Sequence, residues 1–163
     1  MDAGRAVHYL PKRGPGGLGS APERRVPRML VDTLYFEDEI HVSPDGRWVA
    51  YNADESGRWE VYVARFPDFT SKRQISIAGG LQPQWRADGS ELFYLALDRS
   101  MMRVHVTPGP EFVGSPPSSL FATHFALTPT QPQYAVSRDG QRFLGLEQVQ
   151  AGRNTLTVLL NWF

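Results

Sequence analysis

From about Met29 onward, apolar residues fall in short runs separated by turn residues. The runs read EIHVS, RWVAYNA, WEVYVARF, RQISIA, PQWRA, ELFYLAL, MMRVHVT, QYAVS, RFLGLEQ and TLTVLLNWF. They are rich in Val, Ile, Thr and aromatics and bounded by Gly, Pro, Asp, Asn or Ser, the pattern of β-strands. No stretch carries the 3.6-residue period of an amphipathic helix. The chain is therefore read as all-β. Several runs are apolar at consecutive positions, as in Trp48, Val49, Ala50, Tyr51 and in Leu92, Phe93, Tyr94, Leu95. A strand with one wet face alternates, so these strands belong to sheets covered on both sides.

A repeat organises the runs. SPDGRWVAY (43–51), RADGSELFY (86–94) and SRDGQRFLG (137–145) are three versions of one turn feeding one strand. Asp45, Asp88 and Asp139 are 43 and 51 residues apart. A period of roughly 40–50 residues holding several short strands is that of a β-propeller blade, a four-stranded antiparallel meander. The predicted blades span about 39–78, 84–121 and 132–163, and the first contains strands near 39–43, 47–53, 59–66 and 73–78. A closed ring takes about four to eight blades, so three make an incomplete ring or half of a six-bladed assembly.

The turn explains its own residues. A carboxylate at Asp45, Asp88 or Asp139 bonds nearby backbone N–H groups, and Gly46, Gly89 or Gly140 takes the positive φ that lets the next strand leave in register. Pro44 presets φ in the first copy; Ala87 and Arg138 stand there in the others. Capping accounts for these six residues as structural turns, without catalysis or metal binding. SPDGRW also lacks the spacing and the Thr of a sialidase Asp-box.

Composition narrows the function. Seventeen basic residues balance seventeen acidic ones, so no global field draws nucleic acid or anionic lipid. Residues 1–28 carry six basic side chains against two acidic and are rich in Gly and Pro; they read as a flexible arm before a propeller portion at 29–163. No cysteine is present, which removes disulfides, thiolate metal sites and Cys nucleophiles. No apolar run has the ~18 residues of a membrane span, and no secretory leader is visible at the N-terminus. GPGGLG at 14–19 fits a glycine-rich phosphate loop only as a string, since no strand precedes it and Pro22 and Pro27 break any helix after it. The acidic run Glu37-Asp38-Glu39 reads as a solvated loop, His8, His41, His105 and His124 lack metal-ligand spacing, and no G-x-S-x-G elbow is present. Trp48, Trp85 and Trp162 fall on predicted strands and read as core. No cofactor, metal or catalytic residue is expected.

VSPDGRWVAYNADESGRWEVYV, continued by QISIAGGLQPQWRADGSELFYLA, resembles the WD-like repeat of TolB-type β-propellers. The ending, YAVSRDGQRFLGL then TLTVLLNWF, is similar to propellers attached to bacterial serine/threonine kinases and related sensors. The resemblance covers about Ile40 to Phe163. It implies a non-catalytic platform for binding or sensing, with a protein or peptide partner. Its alternative is an accessory fragment of a propeller-containing enzyme, a kinase sensor domain or a peptidase gate. A carbohydrate-active propeller enzyme would need two carboxylates facing across a pocket. The family allows a cytoplasmic or a periplasmic location.

In a meander, the Asp-Gly turns share one end with the loops between third and fourth strands. The other end collects the loops near 54–59, 79–83, 98–101, 121–132 and 148–154. Arg58, Trp59, Arg99, His124 and Phe125 lie there, and aromatic and Arg side chains are the usual anchors of a protein interface. Three blades in an open arc leave two apolar faces uncovered, so a homodimer completing a ring is expected. The segment PRMLV at 27–31 is a candidate outer strand for a final blade.

Overall fold

The computed structural model describes residues 7–9, 28–31, 37–149 and 153–159, with side-chain environments for 37–147. No helix occurs among them. Strands β1 (Val7–Tyr9) and β2 (Arg28–Val31) pair antiparallel. Thus Arg28–Val31, the candidate outer strand of a blade, pairs with a segment of the N-terminal arm. Residues 14–19 and Trp162 lie outside the described residues.

The first blade is β3 (Glu37–Val42), β4 (Trp48–Ala53), β5 (Glu60–Arg65) and β6 (Arg73–Gln74), hydrogen-bonded in chain order. The second runs β7 (Leu81–Trp85), β8 (Glu91–Leu95) and β9 (Ser100–Thr107), with its outer strand in two pieces, β10 (Val113–Gly114) and β11 (Ser118–Ala122), both paired to β9. Pro116 and Pro117 lie at the break, where neither can donate to a ladder. The third joins β12 (Tyr134–Val136), β13 (Phe143–Val149) and β14 (Arg153–Leu159).

Two expectations change in the first blade. The acidic run 37–39 lies on β3, not in a loop; Glu37 is buried, and Glu39 sits in a bulge with φ 51°. The fourth strand stops at Gln74, where a strand to 78 was expected. There Ile75 and Ser76 both donate backbone N–H groups to the Val61 carbonyl, and the Ser76 hydroxyl turns in to the Glu60 carboxylate.

Alternation along each second strand shows what fills the space between blades. Trp48 and Ala50 of β4 meet Leu92 and Tyr94 of β8, joined by Val61, Val63, Val104 and Phe112. The opposite side of β8, Phe93 and Leu95, meets Tyr134 and Phe143 of the third blade, with Met101, Phe121 and Phe125. Phe143 sits edge-on to Phe93 at 5.1 Å and to Phe121 at 5.3 Å, a geometry the aromatic quadrupole favours.

The two outward faces differ. Val49, Tyr51, Ala53, Tyr62 and Ala64 of the first blade are no more than 4% exposed. Leu144 and Leu146 of the third blade are 39% and 44% exposed. They occupy the same strand positions, counted from the turn glycine, as the fully buried Phe93 and Leu95. The sequence led us to expect two uncovered faces; the side chains show one covered and one open.

Candidate functional site: a charged cleft at the loop end

The two ends of the blades differ in chemistry. At the turn end, Gly46, Gly89 and Gly140 adopt φ of 72°, 75° and 71°. Asp45 accepts from the Ser43 hydroxyl at 2.6 Å and the Arg47 N–H at 3.1 Å, and Ser43 Oγ in turn accepts from the Trp48 N–H at 2.9 Å. Asp139 repeats this with Ser137, Gln141 and Arg142. The second blade has Arg86 in place of that serine, and Ser90 supplies both hydroxyl and N–H to Asp88, at 2.7 and 3.0 Å. Partial burial acts to raise the Asp45 carboxyl, but the Ser43 and Arg47 bonds outweigh it and hold it below the usual range. Ser90 lowers Asp88, and Ser137 with Gln141 lowers Asp139. Every bond made by these carboxylates serves the turn.

The opposite end carries the five candidate binding residues, and the structure separates them. Arg58 donates from Nε to Glu60 at 2.5 Å and from a terminal nitrogen to the Ile77 carbonyl at 2.9 Å. Glu60 is fully buried and also accepts from Ser76 and the Gly79 N–H. Arg58 is thus a clamp holding the outer loop of the first blade. Trp59 is half-buried, and its carbonyl accepts the Gly80 N–H. Phe125 is 2% exposed and packed in the core between the second and third blades, so its ring is not offered to a partner.

Arg99 and His124 do come together. They line an open cleft of about 370 Å³ with Ala126 and Glu147. Arg99 occupies the turn between β8 and β9 at φ 69°. Its carbonyl accepts both the Thr123 N–H at 2.9 Å and the Thr123 hydroxyl at 2.8 Å, tying this turn to the end of β11. His124 Nδ1 lies 2.9 Å from Glu147 Oε1. Phe125 forms a β-bridge with Glu147, and its ring fills the space a side chain at Gly145 would need. Burying Phe125 is therefore what sets His124 beside Glu147.

A polar network that sequence reasoning missed holds the loop bearing His124. Asn52 and Gln82, both fully buried, join the first two blades through the Gln82 N–H to Asn52 Oδ1, 3.1 Å. Asn52 Nδ2 donates to the Pro129 carbonyl at 3.3 Å. Gln82 Nε2 donates to the carbonyls of Thr128 at 2.7 Å and Gln131 at 3.0 Å, and its Oε1 accepts the Gln133 N–H at 2.9 Å. The Tyr134 hydroxyl donates to the Gln82 carbonyl at 2.7 Å. Buried amides so fully bonded rigidify their surroundings. The signal available was Asn52, a polar residue inside the otherwise apolar β4.

Among the described residues, no group of three or more His, Asp or Glu side chains has metal-binding geometry. Glu39 lies 3.5 Å from His41, and burial raises its carboxyl above the ordinary value. No helix among the described residues is long and apolar enough to cross a membrane.

Stacked antiparallel meanders with cores between them define a β-propeller fold; among the described residues two blades reach a fourth strand and a third shows three strands. The chain matches no protein-family model and no curated protein by sequence. Its structure is similar to a TolB from Agrobacterium tumefaciens, with TM-score 0.59 and 14% identity over 82% of this chain and 48% of that one. It is also similar to a puromycin hydrolase, with TM-score 0.59 and 23% identity over 82% and 22%. An oligogalacturonate lyase from Vibrio parahaemolyticus is similar at TM-score 0.54 and 12% identity, over 87% and 35%. The likeness is one of fold: the propeller is TolB-like. The chain spans about half the length of that TolB and less of the two enzymes.

Proposed function

We propose that this chain is a non-catalytic binding module that takes a protein or peptide partner at the loop end of its blades. The supporting observation is the cleft between the second and third blades. It gathers Arg99 and His124 on loops beside Glu147 of β13, with the His124 loop held by a buried hydrogen-bond network. Side chains on loops fixed by a rigid scaffold are the usual means of recognition, and the turn end spends its carboxylates on its own backbone. Selection from a displayed random-peptide library tests this. Enriched peptides should lose binding to an Arg99→Glu/His124→Glu double variant and keep it in Asp88→Ala. Peptides that bind the double variant unchanged, or no enrichment at all, would overturn the proposal.

A second reading makes the chain an accessory or regulatory part of a propeller-containing enzyme. It draws on the likeness to the puromycin hydrolase, of which the chain spans 22%. A hydrolase encoded in an adjoining reading frame would favour it, and an isolated gene would count against it.

A further inference from the structure

We infer that the cleft recognises the C-terminal residue of a peptide, with Arg99 taking its carboxylate; this rests on the binding role proposed above. Among the described residues, the Arg99 guanidinium makes no ion pair and no hydrogen bond. Arg58, at the same end of the blades, is by contrast spent on Glu60 and the Ile77 carbonyl. Arg99 is held by its backbone, through the two bonds from Thr123 to its carbonyl, so its fork remains available to a ligand. A guanidinium fork matches a carboxylate in bidentate geometry.

The neighbouring group matches the other half of a terminal residue. His124 is 77% exposed and faces Glu147 through Nδ1 at 2.9 Å. An ionised carboxylate oxygen only accepts, so Nδ1 carries a proton toward Glu147, and a singly protonated ring then presents Nε2 as an acceptor. A cation beside an acceptor complements a carboxylate and an N–H on one α-carbon, which is what the last residue of a peptide presents. Ala126 contributes only a methyl group to the lining, leaving room for that residue's side chain. The cleft is open, where a site for a free small molecule buries about 70–90% of its ligand. An open cleft suits the end of a longer chain that runs out into solvent.

The test titrates the full chain with N-acetyl-alanyl-alanine, with its C-terminal amide and with galacturonate, followed through backbone amide resonances. The free acid should bind saturably and shift Arg99, Thr123 and His124, with the amide at least tenfold weaker. Arg99→Gln should lose tenfold or more. Arg99→Lys should fall between, because a point charge replaces the fork. Unchanged thermal melting of both variants separates loss of contact from loss of fold. Equal binding of acid and amide, no saturable binding, or an indifferent Arg99→Gln would overturn the inference. Tighter binding of galacturonate would assign the cleft to a sugar acid and overturn it too. If library-selected peptides occupy the loop end but bind equally with free and amidated ends, the binding role stands and only this inference fails.

Discussion

Asp45→Ala is the perturbation that separates a structural carboxylate from a chemical one. The side chain is half exposed and makes two bonds, to the Ser43 hydroxyl and the Arg47 N–H. A net hydrogen bond is worth about 0.5–1.5 kcal/mol, and exposure puts each at the lower end, so the loss should be about 1 kcal/mol. Ser43 is 5% exposed and also accepts the N–H of buried Trp48. Ser43→Ala should therefore cost more, about 1–3 kcal/mol, because a buried donor loses its acceptor. The two substitutions act on one chain of bonds, so the double variant should be less destabilised than the sum by about 0.5–1 kcal/mol. Urea unfolding at pH 7 measures all three. The Asp45 carboxyl is held below its ordinary value, so its contribution is complete above the unfolded value of about 4 and is lost as pH falls through the folded one. The gap between wild type and Asp45→Ala should narrow at pH 3. Additive costs, or a gap that widens in acid, would refute the capping argument.

The packing makes three further predictions. Phe93→Ala should cost about 3–5 kcal/mol, while Leu144→Ala, at the same position of the next blade but 39% exposed, should cost about 0.5 kcal/mol or less; equal costs in urea would contradict the burial difference. Glu60→Ala strips acceptors from the Arg58 guanidinium, the Ser76 hydroxyl and the Gly79 N–H in a fully buried setting. It should cost about 2–4 kcal/mol, and a variant as stable as wild type in urea would refute the clamp. Gly145→Ala drives a Cβ into the Phe125 ring; it should cost about 1–3 kcal/mol and weaken peptide binding by shifting His124, and unchanged melting and affinity would show that Phe125 does not position the cleft.

The blades were legible because their signals are local and repeated. Asp-Gly at 45–46, 88–89 and 139–140 marks the start of each second strand, and consecutive apolar residues at 48–51 and 92–95 announce cover on both faces. The short fourth strand was not legible, because Ile75 and Ser76 depart from it to meet groups on β5. Nor was the burial of the first blade's outward face, which depends on what lies over it. For the site, sequence spacing placed Arg99 and His124 at one end of the meanders, but it could not tell a free arginine from a spent one. Arg58 and Arg99 look alike in the chain; only the fold sets Arg58 beside Glu60. Glu147 was missed because it sits mid-strand on β13, and the bridge to Phe125 that brings it to His124 spans a separation no local pattern encodes.

Hydrogen exchange of the backbone amides, with and without a library-selected peptide, tests most directly that ligands bind at the loop end. Bound peptide should slow exchange in residues 96–99 and 123–128, with little change at 43–47, 86–90 and 137–141. Protection confined to those three Asp-Gly turns, with the loops unaffected, would contradict the account.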